Sequence, residues 1–304
     1  MHGSFMKKRY AIITPAHNEA AFLPRVIAGV AAQTLPPVKW VILDDRSTDA
    51  TWDILREAAG RHAFLEPLRV SGPPGRRVGS NVVHLFNRGR EQLREEVDFL
   101  VKMDADTILP PYYFAVLLAR FADNPRLGLA SGKTYTWQQG AWVLERIADT
   151  HVTGACKTYR RRCLEEMGGL IPILGWDVLD VVQARRRGWE ARSFRDLPLR
   201  HLRLTGAAQG MRRAMLSFGG CYYAIRAHPL FVAAKALYRA LERPYGVGLF
   251  ILAGYVAAAW RREPRLQDLA LAAYLRREQL ARLLGRTWRQ EELLPRRRPA
   301  GEWL

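Results

Sequence analysis

Asp104 and Asp106 are the residues of this chain whose type and spacing most plainly point to chemistry: two carboxylates, one residue apart, after the apolar run 99–103. Carboxylate oxygens suit hard divalent cations such as Mn2+ or Mg2+, which keep several waters and bind substrate phosphates instead of sitting in an all-protein cage. The pair therefore points to a metal ion and, through it, to a substrate that carries a diphosphate. The same two residues also read as caps for a helix starting near Pro111, because aspartate is a favoured capping residue.

An active pair of carboxylates needs a scaffold that presents it. Residues 10–14 read as a buried strand and 20–33 as a helix; 38–43 and 50–59 repeat the pattern, with Asp49 as a cap. A third strand at 65–70, a Gly/Pro/Arg loop at 71–77, a helix at 82–95 and a strand at 99–103 follow. Strands alternating with helices predict a largely parallel sheet, with ligands outside the carboxyl ends of the strands. His17-Asn18-Glu19 follows the first strand, Asp44-Asp45 the second and Asp104-Ala105-Asp106 the fourth, so three acidic clusters fall at that edge.

In this order and spacing the segments resemble the family 2 glycosyltransferases of GT-A fold, over roughly residues 10–205. Ile13 to Glu19 resembles the family's opening strand motif, Val41 to Asp49 its nucleoside-holding motif, and Asp104-Ala105-Asp106 its metal-binding Asp-x-Asp motif. Gly154 to Arg161, with Gly168-Gly169, resembles the segment leading to the acceptor site. The resemblance implies an α/β GT-A domain over 7–205, a nucleotide-diphosphate sugar donor, and Mn2+ or Mg2+ held by Asp104 and Asp106. It places Pro15, Asn18, Glu19, Asp44, Asp45 and Asp104 at the nucleotide. Asp45 is suited to accept a ring N–H from the base, with Asp44 orienting the loop. Arg76 and Arg77 are candidates for the diphosphate, or equally solvated charges of their loop. His201 lies where many GT-A enzymes carry a third metal ligand, although a lone histidine is more often structural.

The family's catalytic base closes an acidic pair that precedes a helix and a Gly-Tyr. Here the stretch runs Gly175-Trp176-Asp177-Val178-Leu179-Asp180 to Gly188-Trp189, so counting back from Gly188 selects Asp177 and puts Trp176 where an acid is usual. Asp180 is the alternative base, and Asp177 also reads simply as a helix N-terminal residue facing the dipole. A metal supplies Lewis-acid stabilisation of the leaving phosphate, and a carboxylate takes the proton of the attacking hydroxyl. Inversion at the anomeric carbon follows.

Composition bounds the partners. The 304 residues carry 47 Lys and Arg against 29 Asp and Glu, a formal net charge of +18, and only seven of the cations are lysine. Such a surface attracts phosphate-rich partners. No helix-turn-helix, zinc-finger or aromatic RNA-binding signature is present, so the expectation is an anionic membrane surface and no nucleic acid. After residue 205 arginines mix with apolar helices, giving a helical, basic, membrane-proximal region over 206–304. Residues 245–260 hold no charge but are sixteen residues long, below the roughly twenty that cross a bilayer upright. Spanning, lying on the surface and packing in a core all stay open, with interfacial helices favoured. Gln209 to Arg213 lacks the tryptophan of processive synthases, which argues against polymer extrusion. Three cysteines without pairing or metal spacing, and a start with no long apolar run, give the expectation of a cytoplasmic protein peripheral to the membrane's cytoplasmic face, acting on a lipid-linked or other glycan. Two other classes compete: a haloacid-dehalogenase-like phosphatase, whose Asp-x-Asp-x-Thr fits Asp104 to Thr107 but normally opens the chain, and a non-catalytic membrane-bound scaffold that still binds nucleotide sugar.

Overall fold

Strands β1 (Tyr10–Ala16), β2 (Lys39–Asp44), β3 (Leu65–Arg69) and β4 (Phe99–Met103) form the parallel half of one sheet, in the order β4-β1-β2-β3. The computed structural model describes residues 8–71, 80–138, 140–145, 147–203, 210–285 and 297–298. In β1, Tyr10 and Ile12 enter one core while Ala11 and Ile13 enter the other. A strand buried on both faces has no polar side to show, which is why these strands read as continuous apolar runs. Register pairs Ala16 with Asp44 and Ile12 with Val101, so β1, β2 and β4 all end at one edge.

Helices cover both faces. On α1 (Leu23–Ala31), Leu23, Val26, Ile27 and Val30 recur at helical spacing and are buried against the first core with α4 (Tyr113–Asp123). The expected helix from residue 20 begins instead at Leu23, because 20–22 form a turn in which the amides of Phe22 and Leu23 bond back to the Glu19 carbonyl. Helix α2 (Thr51–Arg61) lies on the same side, and α3 (Ser80–Gln92) supplies Val83, Leu85 and Phe86 to the opposite core. Asp49 does accept from the Thr51 amide at 3.0 Å, one residue before the geometric cap Ala50.

Beyond β4 the sheet becomes mixed. Strand β8 (Cys156–Arg160) runs antiparallel to β4, and β6 (Leu127–Gln138) antiparallel to β8; β9 (Glu190–His201) returns parallel to β6. Short β5 (Thr107–Ile108) pairs with the end of β9, while β7 (Ala141–Leu144) and β10 (Arg297–Arg298) extend the far edge. The parallel pairing expected from the sequence holds for β1 to β4; β6 with β9 is also parallel, and the pairings of β4 with β8, β8 with β6, β6 with β7, β5 with β9 and β7 with β10 are antiparallel, so the sheet is mixed. Two helices follow β8: α5 (Arg161–Glu166) and α6 (Trp176–Arg186).

Helix α6 joins the sheet to the C-terminal helices. Its Val181 and Ala184 sit in the sheet's second core, whereas Leu179 and Val182 sit in a third core built by α7 (Gly210–Ala224), α8 (Pro229–Leu241), α9 (Leu249–Trp260) and α10 (Leu269–Leu283). Helices α7 and α9 cross with backbones almost touching, since a Cβ on Gly219 would lie 2.1 Å from the Ile251 carbonyl oxygen and one on Gly254 2.1 Å from that of Leu216. Only glycine permits that approach. Among the described residues no helix is long and apolar enough to cross a membrane. The uncharged run is α9 with its preceding turn: Ile251, Gly254 and Ala258 are buried, and the opposite face is exposed. The boundary expected at 205/206 falls among residues outside the described ones.

Candidate active site

Asp104 and Asp106 leave the end of β4 directly into β5, and the β5–β9 pairing sets Thr107 opposite His201. That register brings the histidine back to the aspartates across nearly a hundred residues. Ligand atoms from Asp104, Asp106 and His201 lie within 4.8 Å of one another. His201 Nε2 is 2.9 Å from Asp106 Oδ1 and 4.0 Å from Asp104 Oδ2. Helix α4 starts at Tyr113 with no side-chain cap, so neither aspartate has the capping role.

Burial opposes the charge on both sides of this contact, and the contact overrides it. Desolvation alone would lift Asp106, but the His201 hydrogen bond and charge, with Arg203 and Lys102 beyond, hold its carboxyl below the usual range. Desolvation would likewise lower His201, yet Asp106 and then Asp104 and Glu145 hold it above the ordinary histidine value. His201 Nδ1 is buried without a hydrogen-bond partner among the described residues. Two carboxylates and an imidazole, partly open to solvent at Asp104, make a donor set that fits Mn2+ or Mg2+.

Two cations and a third carboxylate surround the group. Lys102, buried in β4, pairs with Asp104 Oδ1 and donates to the Gly154 carbonyl at 2.8 Å. Arg203 bonds Glu19 Oε2 at 2.6 Å and reaches to 3.8 Å from Asp106 Oδ2. Burial, aided by Asp106 and Asp104 and opposed by Arg203, pushes Glu19 up to about 7.

The loops after β1 and β2 are laced together. Asn18, at φ 55°, accepts from the Thr48 amide at 2.8 Å and donates its own amide to Ser47 Oγ at 2.9 Å; His17 Nδ1 lies 2.7 Å from the Asp45 carbonyl oxygen. Asp44 is fully buried, accepting from the Ser47 amide at 3.0 Å. Asp45 faces Arg46 at 2.6 Å and accepts from Asn81 Nδ2 at 2.6 Å. Pro15 sits at the end of β1 in register with Leu43, partly open. Arg76 and Arg77 lie outside the described residues.

Asp177 and Asp180, three residues apart on α6, occupy opposite environments. Asp177 is in the first turn and partly open, with its Oδ2 3.9 Å from where a Cβ on Gly154 would be. Since Gly154 is bonded to Lys102, and Lys102 to Asp104, Asp177 adjoins the aspartate group. Asp180 is sealed: both its oxygens accept from Lys157 Nζ, at 2.9 and 2.8 Å, and Oδ2 also accepts from Tyr159 Oη at 2.6 Å. Trp176, in the position where the resemblance expected an acid, lies under both lysines, 5.5 Å from Lys102 Nζ and 5.4 Å from Lys157 Nζ. Lys102, Asn81, Lys157 and Arg203 thus join the site without having been singled out from sequence. A lysine inside an otherwise apolar strand two residues before Asp104 was the one available signal.

Residues 11–147 match the family model described as Glycosyl transferase family 2, and the architecture is that of the GT-A fold. Among particular proteins, it is similar to O-antigen biosynthesis protein RfbC of Myxococcus xanthus, 25% identical over 250 residues. That match covers 76% of this chain but 18% of the relative, so the chain spans about a fifth of its length. In structure it is similar to mannosyltransferase PcManGT from Pyrobaculum calidifontis, solved with GDP-Man and Mn2+, at TM-score 0.56 and 18% identity, covering 93% of this chain and 88% of that one. It is also similar to S. aureus TarS 1-349 in complex with UDP, at TM-score 0.53 and 14% identity, covering 94% of each.

Proposed function

We propose that this protein is an inverting, metal-dependent glycosyltransferase that moves a sugar from a nucleotide-diphosphate donor to a hydroxyl of a glycan. The observation that carries the reading is the Asp104, Asp106 and His201 group at the carboxyl edge of the sheet with the open carboxylate of Asp177 beside it. The three ligands would hold Mn2+ or Mg2+, which as a Lewis acid offsets the charge that develops on the departing diphosphate. The interlaced loops carrying Pro15, Asn18, Glu19, Asp44 and Asp45 form the nucleoside side. There Asp45 is the carboxylate available for a base N–H, and buried Asp44 holds the loop.

Asp177 acts as the general base. It accepts the proton of the acceptor hydroxyl as oxygen attacks the anomeric carbon from the face opposite the diphosphate, and configuration inverts. Asp180 cannot take this role while Lys157 and Tyr159 occupy its oxygens. The similarity to an O-antigen biosynthesis protein supports a cell-surface polysaccharide, built on a lipid-linked or other glycan, as the acceptor class.

The test is a screen of UDP-, GDP- and dTDP-sugars with Mn2+, reading thermal stabilisation and nucleotide release. A bound ligand raises stability in proportion to the logarithm of its concentration over its Kd. One nucleotide class should shift the unfolding temperature only when metal is present, and its sugar should be turned over. Stabilisation without turnover toward any glycan acceptor supports the non-catalytic scaffold instead. Release of phosphate from simple phosphomonoesters supports the phosphatase.

A further inference from the structure

Helix α9 is uncharged along its whole length, yet it is only half buried. Its outward positions Leu249, Leu252, Ala253, Val256 and Trp260 fall at i, i+3, i+4, i+7 and i+11, a single stripe. Every one is apolar and exposed, with Val256 at 64% and Trp260 at 86%. The preceding helix α8 repeats the pattern with exposed Leu230, Leu237 and Leu241. Behind this stripe the helix packs closely, because Gly248 lets the start of α9 meet the α8 backbone and Gly219 and Gly254 let α9 meet that of α7. A hydrophobic surface of this kind, maintained by close backbone packing behind it, marks an interaction site.

Charge identifies the partner. Residues 210–285 contain twelve Lys and Arg against four Asp and Glu. Exposed Arg243 and Tyr245 stand just before α9, and Arg261 and Arg262 just after it, so the apolar stripe has cations and an aromatic at both ends. Aromatic residues and arginines beside an apolar helix face are the pattern of a helix lying in a membrane interface, with rings and guanidinium groups at the headgroups. Twelve residues at 1.5 Å each reach only about 18 Å, far less than a bilayer core, which requires the helix to lie flat.

We propose that the exposed face of α9, continued by that of α8, docks this protein in the interface of an anionic lipid bilayer, its arginines on the headgroup phosphates. The α9 face supplies the apolar part of binding and the arginines the selectivity for anionic lipid. Such docking would hold the protein at a two-dimensional surface irrespective of which sugar it transfers.

Flotation of the full chain with phosphatidylcholine vesicles, with and without phosphatidylglycerol, tests this in the absence of any donor. The protein should float with the anionic vesicles and at least tenfold less with the neutral ones. Val256→Asp, at an exposed position, should reduce flotation more than tenfold with an unchanged circular dichroism spectrum. Arg261→Ser with Arg262→Ser should weaken it by roughly fivefold per arginine, and raised salt should do the same to the wild type. No flotation with either vesicle overturns the proposal, as does flotation that Val256→Asp leaves intact. A lipid-free dimer that Val256→Asp converts to monomer, without lipid binding, overturns it in favour of a self-association face.

Discussion

Lys157 and Asp180 form an ion pair sealed inside the protein, with the two side chains 0% and 1% exposed and nitrogen to oxygen distances of 2.8 and 2.9 Å. The same ammonium donates to the Asp177 carbonyl at 2.8 Å, so the pair pins the first turn of α6 to β8. Removing one member of a buried pair strands the other charge and costs about 3–5 kcal/mol, whereas replacing both with apolar groups is often neutral. Asp180→Leu should therefore lower the unfolding free energy by about that amount, and Lys157→Met in the same chain should restore most of it. Urea titration measures both. A loss below about 1 kcal/mol for the single variant would show that the pair constrains nothing.

Asp177→Asn tests the base. The change keeps shape and removes the proton acceptor, so donor binding should persist while kcat falls roughly 100-fold or more. The comparison is Asp180→Asn assayed under conditions where it remains folded, which should retain far more activity. The reverse order would transfer the role to Asp180.

Asp104→Ala and Asp106→Ala address the metal. Each should abolish transfer and reduce metal-dependent nucleotide binding while leaving the fold intact, because the diphosphate loses its counter-charge. Titration calorimetry with and without EDTA reads the loss directly. Full wild-type turnover in excess EDTA would refute metal dependence.

Much of this site is legible in sequence because its residues sit at strand ends. The runs before Asn18, Asp44 and Asp104 announce buried strands, and alternation with helices puts their carboxyl ends together. His201 was reachable only through the resemblance, since its meeting with Asp106 depends on the two-residue strand β5 pairing with β9, too short to leave a period. Asp177 and Asp180 both read as candidate bases; what separates them is Lys157 and Tyr159 on β8, contacts across 23 and 21 residues that no local pattern encodes. Arg203 is similar, reaching Glu19 from the opposite end of the domain. The apolar run at 245–260 gave the helix but not its half-burial, because glycine's role in a crossing depends on the neighbour it meets.

Gly254 and Gly220 provide a matched contrast on that crossing. A methyl group at Gly254 would lie 2.1 Å from the Leu216 carbonyl oxygen, and backbone cannot give way as a side chain can. At Gly220 the nearest atom, Leu174 Cδ2, is an ordinary 3.7 Å away. Alanine gains up to about 1 kcal/mol over glycine in a helix interior, but forced overpacking costs about 1–3 kcal/mol. Gly254→Ala should consequently lower Tm and Gly220→Ala should raise it slightly. Equal shifts in the two variants would mean that α7 and α9 do not cross at this distance in solution.

His151 gives the fold a pH dependence of defined sign. Burial, reinforced by Lys157, Arg185, Arg282 and Lys133, pushes its imidazole down to about 3 from an ordinary 6.5. Between those values the unfolded chain holds a proton that the folded chain refuses, so stability rises with pH through the window and is lost as pH falls below 6.5. From pH 6.5 down to pH 5 the histidine accounts for up to about 2 kcal/mol. His151→Gln keeps a neutral polar side chain and removes the titration, so its urea midpoint should decline less than that of the wild type over this range, with the two converging in slope above pH 7. Parallel declines between pH 6.5 and 5 would show that the imidazole accepts its proton in the folded state and that the surrounding cations do not suppress it.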